Sequence, residues 1–328
     1  MHIFLTGGSG FVGGRLIARF VADGHTVHAL ARSDASATLV EARGAAAVRG
    51  DLDDLQHGRS GAWTEVLGAC DAVVHAAAYM EFWGSDRIFE ERNLGPTIAL
   101  HAAATAAGVR RVVLLSAAAV SSGSQRAPVV DEQTDDGRPN LAYSRVKLAT
   151  EQALLAAPSE VTSTIVLRPP FIWGPQMSSL DDIVGAAQGG RFAWVDGGRH
   201  TIDFVHVDNL ARATVLALGG GRPGGIYYVT DGTPRSARDF IGALLETQAV
   251  AIPSRSVPRA VATVAAGAME AVTKLARRST PPPLTLWLVA WLGRDRSYDI
   301  SLARRELGYE PTVSLEEGLR EMRDARAA

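Results

Sequence analysis

Thr6-Gly7-Gly8-Ser9-Gly10-Phe11-Val12-Gly13 decides the fold of this chain. Residues 2–5, just before it, read as a short buried strand. Phe11, Leu16, Ile17, Phe20 and Val21, after it, recur at helical spacing. A glycine turn placed between a first strand and a first helix acquires a chemical meaning. Gly7 suits the tight turn, Gly10 lets main chain approach a pyrophosphate, and Gly13 lets the helix pack closely on a sheet. The helix start adds unpaired N–H donors and a dipole that favours an anion.

Outward from that turn, short apolar runs alternate with helical segments. Residues 26–30, 46–48, 72–75, 111–115 and 164–167 read as further strands. Helices are expected over about 88–107, closed by Gly108, and over 143–155, closed near Pro158. This α/β alternation predicts a Rossmann-type doubly wound parallel sheet with right-handed crossovers. After Leu167 the pattern loosens at Pro169, Pro170, Gly174 and Pro175. Residues 203–207 and 226–229 look like later strands. From Arg235 onward the chain reads as mostly helical. The expected division is a dinucleotide-binding domain over 1–168, rejoined by 203–230, and a smaller C-terminal substrate lobe over 169–202 and 231–328.

Composition narrows the function. Hydrophobic content of 47% with 21% charged residues is that of a globular chain able to fill a core. A net charge of −2 gives no basic footprint for nucleic acid. The single cysteine, Cys70, excludes an intrachain disulfide and fits a reducing, cytoplasmic setting. No leader is read at the start, because the glycine turn follows the first strand directly. Residues 260–269 and 284–292 are apolar but fall short of the roughly 20 residues that span a bilayer. A peripheral, interfacial helix stays open there, as does a homodimer.

Lys147 is the second informative feature. Only two of the 33 basic residues are lysine, Lys147 and Lys274. Lys147 follows Tyr143 by four residues, which puts ammonium and phenol on one helix face. A nearby cation is expected to lower the tyrosine pKa from about 10 and let it pass a proton to or from a carbonyl or alcohol oxygen. A compact ammonium also suits a ribose hydroxyl. At the end of the second strand, Leu30-Ala31-Arg32-Ser33 has alanine where an acid would select NAD. Arg32 suits a 2′-phosphate, so NADP(H) is favoured, with NAD(H) the other possibility.

With both features in place, the chain resembles the extended short-chain dehydrogenase/reductase family over most of its length. Thr6, Gly7, Gly10, Phe11, Val12 and Gly13 fall on that family's cofactor turn. Asp51 and Leu52 look like its adenine-contacting segment. Ala76, Ala77 and Ala78 after His75 look like the stretch beyond its fourth strand. Asn93 falls on its helix asparagine, which the resemblance implies holds a water for proton relay. Arg168-Pro169-Pro170 and Gly174-Pro175 resemble its segment beside the nicotinamide, implying a cofactor contact at Pro169. Residues 203–209 and Leu307-Gly308-Tyr309-Glu310-Pro311 resemble two later signatures. Within the family, residues 283–295 and the apolar C-terminal helices look most like the 3β-hydroxysteroid dehydrogenase and dihydroflavonol reductase-like branch. The resemblance implies that Tyr143 is the acid/base and that Lys147 orients the cofactor ribose.

One departure stands out. The family places Ser or Thr just after the fifth strand, against the substrate oxygen, and that position here is Ala117. Ser116 is one residue early, and in extended chain a one-residue shift turns a side chain to the other face. Ser116, Ser121 and Ser122 are the candidate replacements. None of the eight histidines forms a ligand set with metal spacing, and His206-Val207-Asp208 reads as a strand-end hydrogen-bonding pair, so no metal is expected. Tyr79, Phe82, Trp83, Phe171, Trp173 and Trp194 follow strand ends or lie in the lobe, and are candidates to line an apolar substrate pocket. The leading expectation is an NADP(H)-dependent oxidoreductase acting on an apolar ketone/alcohol pair. A nucleotide-sugar epimerase or dehydratase holding NAD is the alternative within enzymes. A catalytically silent NADP-binding regulatory protein is the alternative outside them.

Overall fold

A computed structural model describes the chain apart from residues 60, 62, 82, 122–128, 134–138, 140, 158, 277–279 and 328. Phe82, Ser122 and Pro158, named above, therefore lie outside the described residues. The main sheet is built from β1 (His2–Thr6), β2 (Thr26–Ala31), β3 (Ala46–Arg49), β4 (Ala72–His75), β5 (Arg111–Leu115), β6 (Ser163–Arg168) and β9 (Ile226–Tyr228). Their order is β9-β6-β5-β4-β1-β2-β3, all parallel. Every residue of β4 is buried, as expected for a parallel strand covered on both faces. The helices used below are α1 (Phe11–Ala22), α2 (Asp34–Ala42), α3 (Gly95–Ala106), α4 (Ala142–Ala156), α5 (Val207–Gly219), α6 (Ala237–Thr247), α7 (Arg259–Leu275), α8 (Leu286–Leu292) and α9 (Leu315–Ala327).

The strand order reverses beside β1, because β2 lies on one side of it and β4 on the other. A crevice opens beyond the carboxyl ends of strands at such a point, and that is where ligands meet these sheets. The glycine turn leaves β1 there, and Ala76 leaves β4 there.

Two expectations need correction. Residues 226–228 do join the main sheet, beside β6, but β8 (Phe204–His206) does not. It pairs in parallel with β7 (Phe171–Trp173) outside the main sheet. Pro169 and Pro170 have no N–H to continue a ladder, so the chain leaves the sheet after Arg168 and offers β7 as a separate edge. The helix expected over 88–107 is also divided. A short turn at Asp86–Phe89 runs into a π-helical stretch, Glu90–Leu94, before α3. Pro96 cannot donate to the carbonyl four residues back, which accommodates the wider turn around Asn93.

Apolar side chains gather into separate clusters. One lies within the sheet and under α1 and α5, with Ile3, Leu5, Ile17 and Val113 fully buried. Another lies around Trp173, Trp194, Phe204 and Phe240, the last from α6. Phe204 stacks on Phe240 at a centroid distance of 3.9 Å.

Candidate active site

Gly7 takes a φ of +77°, in the region that favours glycine. A Cβ there would sit 2.7 Å from the Ala77 nitrogen, so the turn also needs glycine to pass the chain leaving β4. A Cβ on Gly13 would lie 2.0 Å from the Gly7 oxygen, which is the close helix packing expected of it. A Cβ on Gly10 would meet only the Gly7 oxygen, at 3.4 Å, so its outer side is open. Gly10 caps α1 without a side-chain hydrogen bond, and no acid lies in the first turn. Open space, uncapped N–H groups and the absence of a competing carboxylate fit the diphosphate of a dinucleotide.

A hydrogen-bonded chain joins this turn to β4. The Ala77 N–H donates to Thr6 Oγ1 at 3.2 Å, and Thr6 Oγ1 lies 2.8 Å from His75 Nδ1. His75 Nε2 lies 2.9 Å from Thr97 Oγ1, whose hydroxyl donates to the Asn93 carbonyl at 2.6 Å. Since the Thr97 proton is committed to Asn93, Thr97 accepts from His75, which fixes a neutral imidazole with its proton on Nε2. Burial, helped by the Lys147 charge, pushes the His75 pKa down to about 3, in agreement. The Asn93 side chain holds both polar groups of the Tyr79 backbone, at 2.8 and 3.0 Å. It thereby sets the path of the chain leaving β4. The Tyr79 ring lies beneath the Arg92 guanidinium, 4.8 Å away.

At the end of β2, Ala31 is buried and Arg32 is exposed. Ser33 then caps α2 in a reciprocal pair with Ser36. Asp34 pairs with Arg49. Asp51 caps the short helix Leu52–Gln56 just beyond β3, on the same sheet edge. The sequence reading missed Arg43. Its guanidinium crosses back over α1, donates to the Gly8 carbonyl at 2.8 Å, and lies where a Cβ on Gly14 would stand 2.5 Å away. A second glycine at position 14 was the only sequence signal of that approach.

Tyr143, Lys147 and Glu151 recur every four residues along one face of α4. Lys147 is buried and donates to the Leu115 carbonyl at 2.9 Å. Burial depresses its pKa to about 8, opposed by the Glu151 charge. Glu151 is 1% exposed and is gripped by Arg168, also 1% exposed, through Nη2 at 2.6 Å and Nε at 3.1 Å. Arg168 donates in turn to the Tyr228 hydroxyl at 3.2 Å. Ser116 gives its hydroxyl to Glu151 Oε1. This corrects the expectation that Ser116 stands in for the residue missing at Ala117, because the one-residue shift has turned it into the ion pair. Ser121 donates to the Ala118 carbonyl. Pro169 accepts from the Ala118 N–H at 2.8 Å.

The tyrosine also departs from expectation. Burial raises the Tyr143 pKa above its ordinary value, the opposite of the lowering expected from a neighbouring cation. The phenol is held protonated at neutral pH. Tyr143 faces a cleft of about 310 Å³. One wall is Trp83, Ser85 and Phe89; the other is Glu270 and Lys274 of α7 with Trp287 of α8. Lys274 sits over the Trp83 ring at 5.5 Å. Arg145 and Asp86 form an ion pair at 2.5 Å along the same cleft.

Of the aromatic candidates, Trp83 lines this cleft, but Trp173 and Trp194 are fully buried. Trp173 donates to Asp231 at 2.8 Å and Trp194 to the Pro253 carbonyl at 2.6 Å, so both are anchored core residues. Phe171 stacks on Trp291 at 5.1 Å. Elsewhere, ligand atoms of His206, Asp208 and Glu321 lie within 4.8 Å of one another. Asp208 is already bound by Arg15, and His206 Nδ1 accepts from the Asp208 N–H, so a guanidinium supplies the cation there. Glu321, far away in sequence on α9, was missed.

The model of the NAD dependent epimerase/dehydratase family matches residues 3–230, and the chain belongs to that family, as an extended short-chain dehydrogenase/reductase. It is 36% identical to the 4-hydroxy-2-methyl-3-oxo-4-farnesyl-3,4-dihydroquinoline-1-oxide ketoreductase of Stigmatella aurantiaca, with 100% of this chain and 97% of that protein covered. It is 32% identical to the 2-alkyl-3-oxoalkanoate reductase of Stenotrophomonas maltophilia (strain K279a), with both chains covered in full. The solved structure of MoeE5 in complex with UDP-glucuronic acid and NAD superposes with a TM-score of 0.74 at 22% identity, covering 100% of this chain and 99% of that one. That likeness shows the fold. The chain is an NAD(P)-dependent oxidoreductase.

Proposed function

We propose that the chain is an NADP(H)-dependent ketoreductase that interconverts an apolar ketone and its alcohol. One observation carries the reading: Tyr143 opens onto the cleft while Lys147, one turn along α4, is buried against the end of β5. Bound at the glycine turn, the nicotinamide cofactor supplies or accepts the hydride. Tyr143 donates the proton to the carbonyl oxygen in reduction, and the burial that keeps its phenol protonated suits that direction. Lys147 offers its remaining donors to the ribose and draws charge off the phenolate formed when the proton leaves. Arg32 takes the 2′-phosphate and Gly10 the diphosphate. Nucleotide binding is assigned to residues 1–168 with β9, and substrate covering to the C-terminal lobe.

The walls of Trp83, Phe89, Leu141 and Trp287 favour an apolar ring or chain beside the reacting carbonyl. The farnesylated quinoline oxide named for one relative, and the alkyl oxoalkanoate named for another, both match such walls. The test is consumption of NADPH by the purified chain across a panel of apolar ketones, with the alcohol identified by mass spectrometry. A chain that binds NADPH and reduces none of them overturns the proposal. So does a chain that releases stoichiometric NAD only on denaturation, which is the behaviour of an epimerase.

A further inference from the structure

Three arginines gather at the end of α8, and the acids beside them are turned elsewhere. Arg259 opens α7, and Gly293 and Arg294 follow α8. The Arg259 side chain crosses to them, its Cδ 3.0 Å from where a Cβ on Gly293 would stand. Arg294 is part-buried. Burial lowers its pKa from the ordinary value, and the charges of Arg259 and Arg296 lower it further. Asp295, between Arg294 and Arg296, accepts from the Thr201 N–H at 2.8 Å and faces His200 Nδ1 at 3.5 Å. Asp196 accepts from the Arg259 N–H at 2.8 Å and lies 3.0 Å from His200 Nε2. Among the described residues no carboxylate pairs with the Arg259 or Arg294 side chain. Like charges brought together in partly desolvated space repel until an anion joins them.

Two lines of contact tie this cluster to the site. Arg296 hydrogen-bonds the Tyr298 side chain. The Tyr298 hydroxyl donates to the Ala118 carbonyl at 3.3 Å, one residue past Ala117, and the Ala118 N–H holds the Pro169 carbonyl. On the other side, Trp291 stacks on Phe171 at 5.1 Å and on Trp287 at 5.8 Å. Trp287 lines the Tyr143 cleft, and Arg294 follows Trp291 by three residues. An aromatic run thus leads from the cleft to the guanidinium groups. Such a run suits an apolar chain, and a guanidinium fork suits a carboxylate at its end.

We infer that Arg294, flanked by Arg259 and Arg296, receives a carboxylate on the ketone substrate, so that the chain reduces oxo acids in preference to neutral ketones. This rests on the ketoreductase reading and names a further group on the same substrate.

NADPH consumption by the full chain is compared on 3-, 5- and 7-oxodecanoate and on their methyl esters. At least one acid is expected to exceed its ester about ten-fold or more in kcat/KM, mainly through KM, with the advantage shrinking as salt rises. Arg294→Met is expected to erase that advantage. Arg259→Met is expected to reduce it, and serves in its place should Arg294→Met fold poorly. Esters that match or exceed every acid in the wild type overturn the inference, as does an acid advantage that survives both substitutions. Calorimetry with decanoate and methyl decanoate on the NADPH-loaded chain needs no turnover. If no ketone of either kind is reduced, the ketoreductase reading fails, and decanoate still decides this site. Decanoate binding no tighter than methyl decanoate overturns it. So does tight binding of UDP-glucose that Arg294→Met removes, which would make the cluster a diphosphate site.

Discussion

Ser116 at the end of β5 gives its hydroxyl to Glu151 on α4, two turns beyond Tyr143 on the same helix face. The hydroxyl nearest the expected substrate donor is therefore committed to the structure beneath the site. Ser116→Ala should cost about 1–2 kcal/mol of stability, since it leaves a buried carboxylate with one donor fewer. It should leave kcat/KM largely unchanged. Ala117→Ser restores a hydroxyl at the position where the family resemblance expects one. One added donor at a developing oxyanion is worth about 10²-fold, so a gain of about ten-fold or more in kcat/KM for ketone reduction is expected. Urea melts and steady-state kinetics on the two variants check both statements.

The Glu151–Arg168 pair is buried from end to end, so removing one partner strands a charge. Glu151→Gln or Arg168→Met alone should cost about 3–5 kcal/mol, while the double replacement should cost clearly less than their sum. A double-mutant cycle by chemical denaturation measures this.

Lys147 should titrate near pH 8 because burial disfavours its ammonium. The ordinary value is 10.5, so the folded chain loses this proton before the unfolded chain does. Burying the charge therefore costs stability at neutral pH, and that cost fades as pH rises from about 8 towards 10.5. Since the chain has two lysines, lysine labelled with ¹³C at Cε gives two signals. The signal absent from Lys147→Met should titrate near 8, and nearer neutrality in Glu151→Gln, where the raising charge is gone.

Arg32→Ala should weaken NADPH about ten-fold or more and leave NADH nearly unchanged, since a charge-assisted bond is worth about 1.5–3 kcal/mol. Arg43→Met should weaken both cofactors alike, because its contact is with the Gly8 carbonyl in the turn. Fluorescence titration of each cofactor separates the two roles.

The parallel sheet and the cofactor turn were legible because the glycine turn and the apolar runs are local patterns, each carried by residues a few positions apart. β8 was misplaced because pairing partners are not encoded locally, and Pro169-Pro170 gave only a break, without the edge that β8 would find. Tyr143 and Lys147 were legible from their spacing, and the same spacing extended once more reaches Glu151, which went unread. The direction of the Tyr143 pKa was not legible, since spacing reports a nearby cation but not the burial that raises the phenol. Trp173 and Trp194 were misread for a related reason. An aromatic residue after a strand end suits a pocket and a core equally until its N–H partner is seen, and theirs are Asp231 and the Pro253 carbonyl. Arg43 and Lys274 come from distant segments, and only folding brings them to the site.

The central claim is that Tyr143 passes the proton to the substrate oxygen. Tyr143→Phe keeps the ring against Phe89 and removes only the hydroxyl. With NADPH bound to saturation, single-turnover reduction of an apolar ketone should slow by about 10²- to 10⁴-fold, with NADPH affinity unchanged. Reduction by Tyr143→Phe at the wild-type rate would contradict the account.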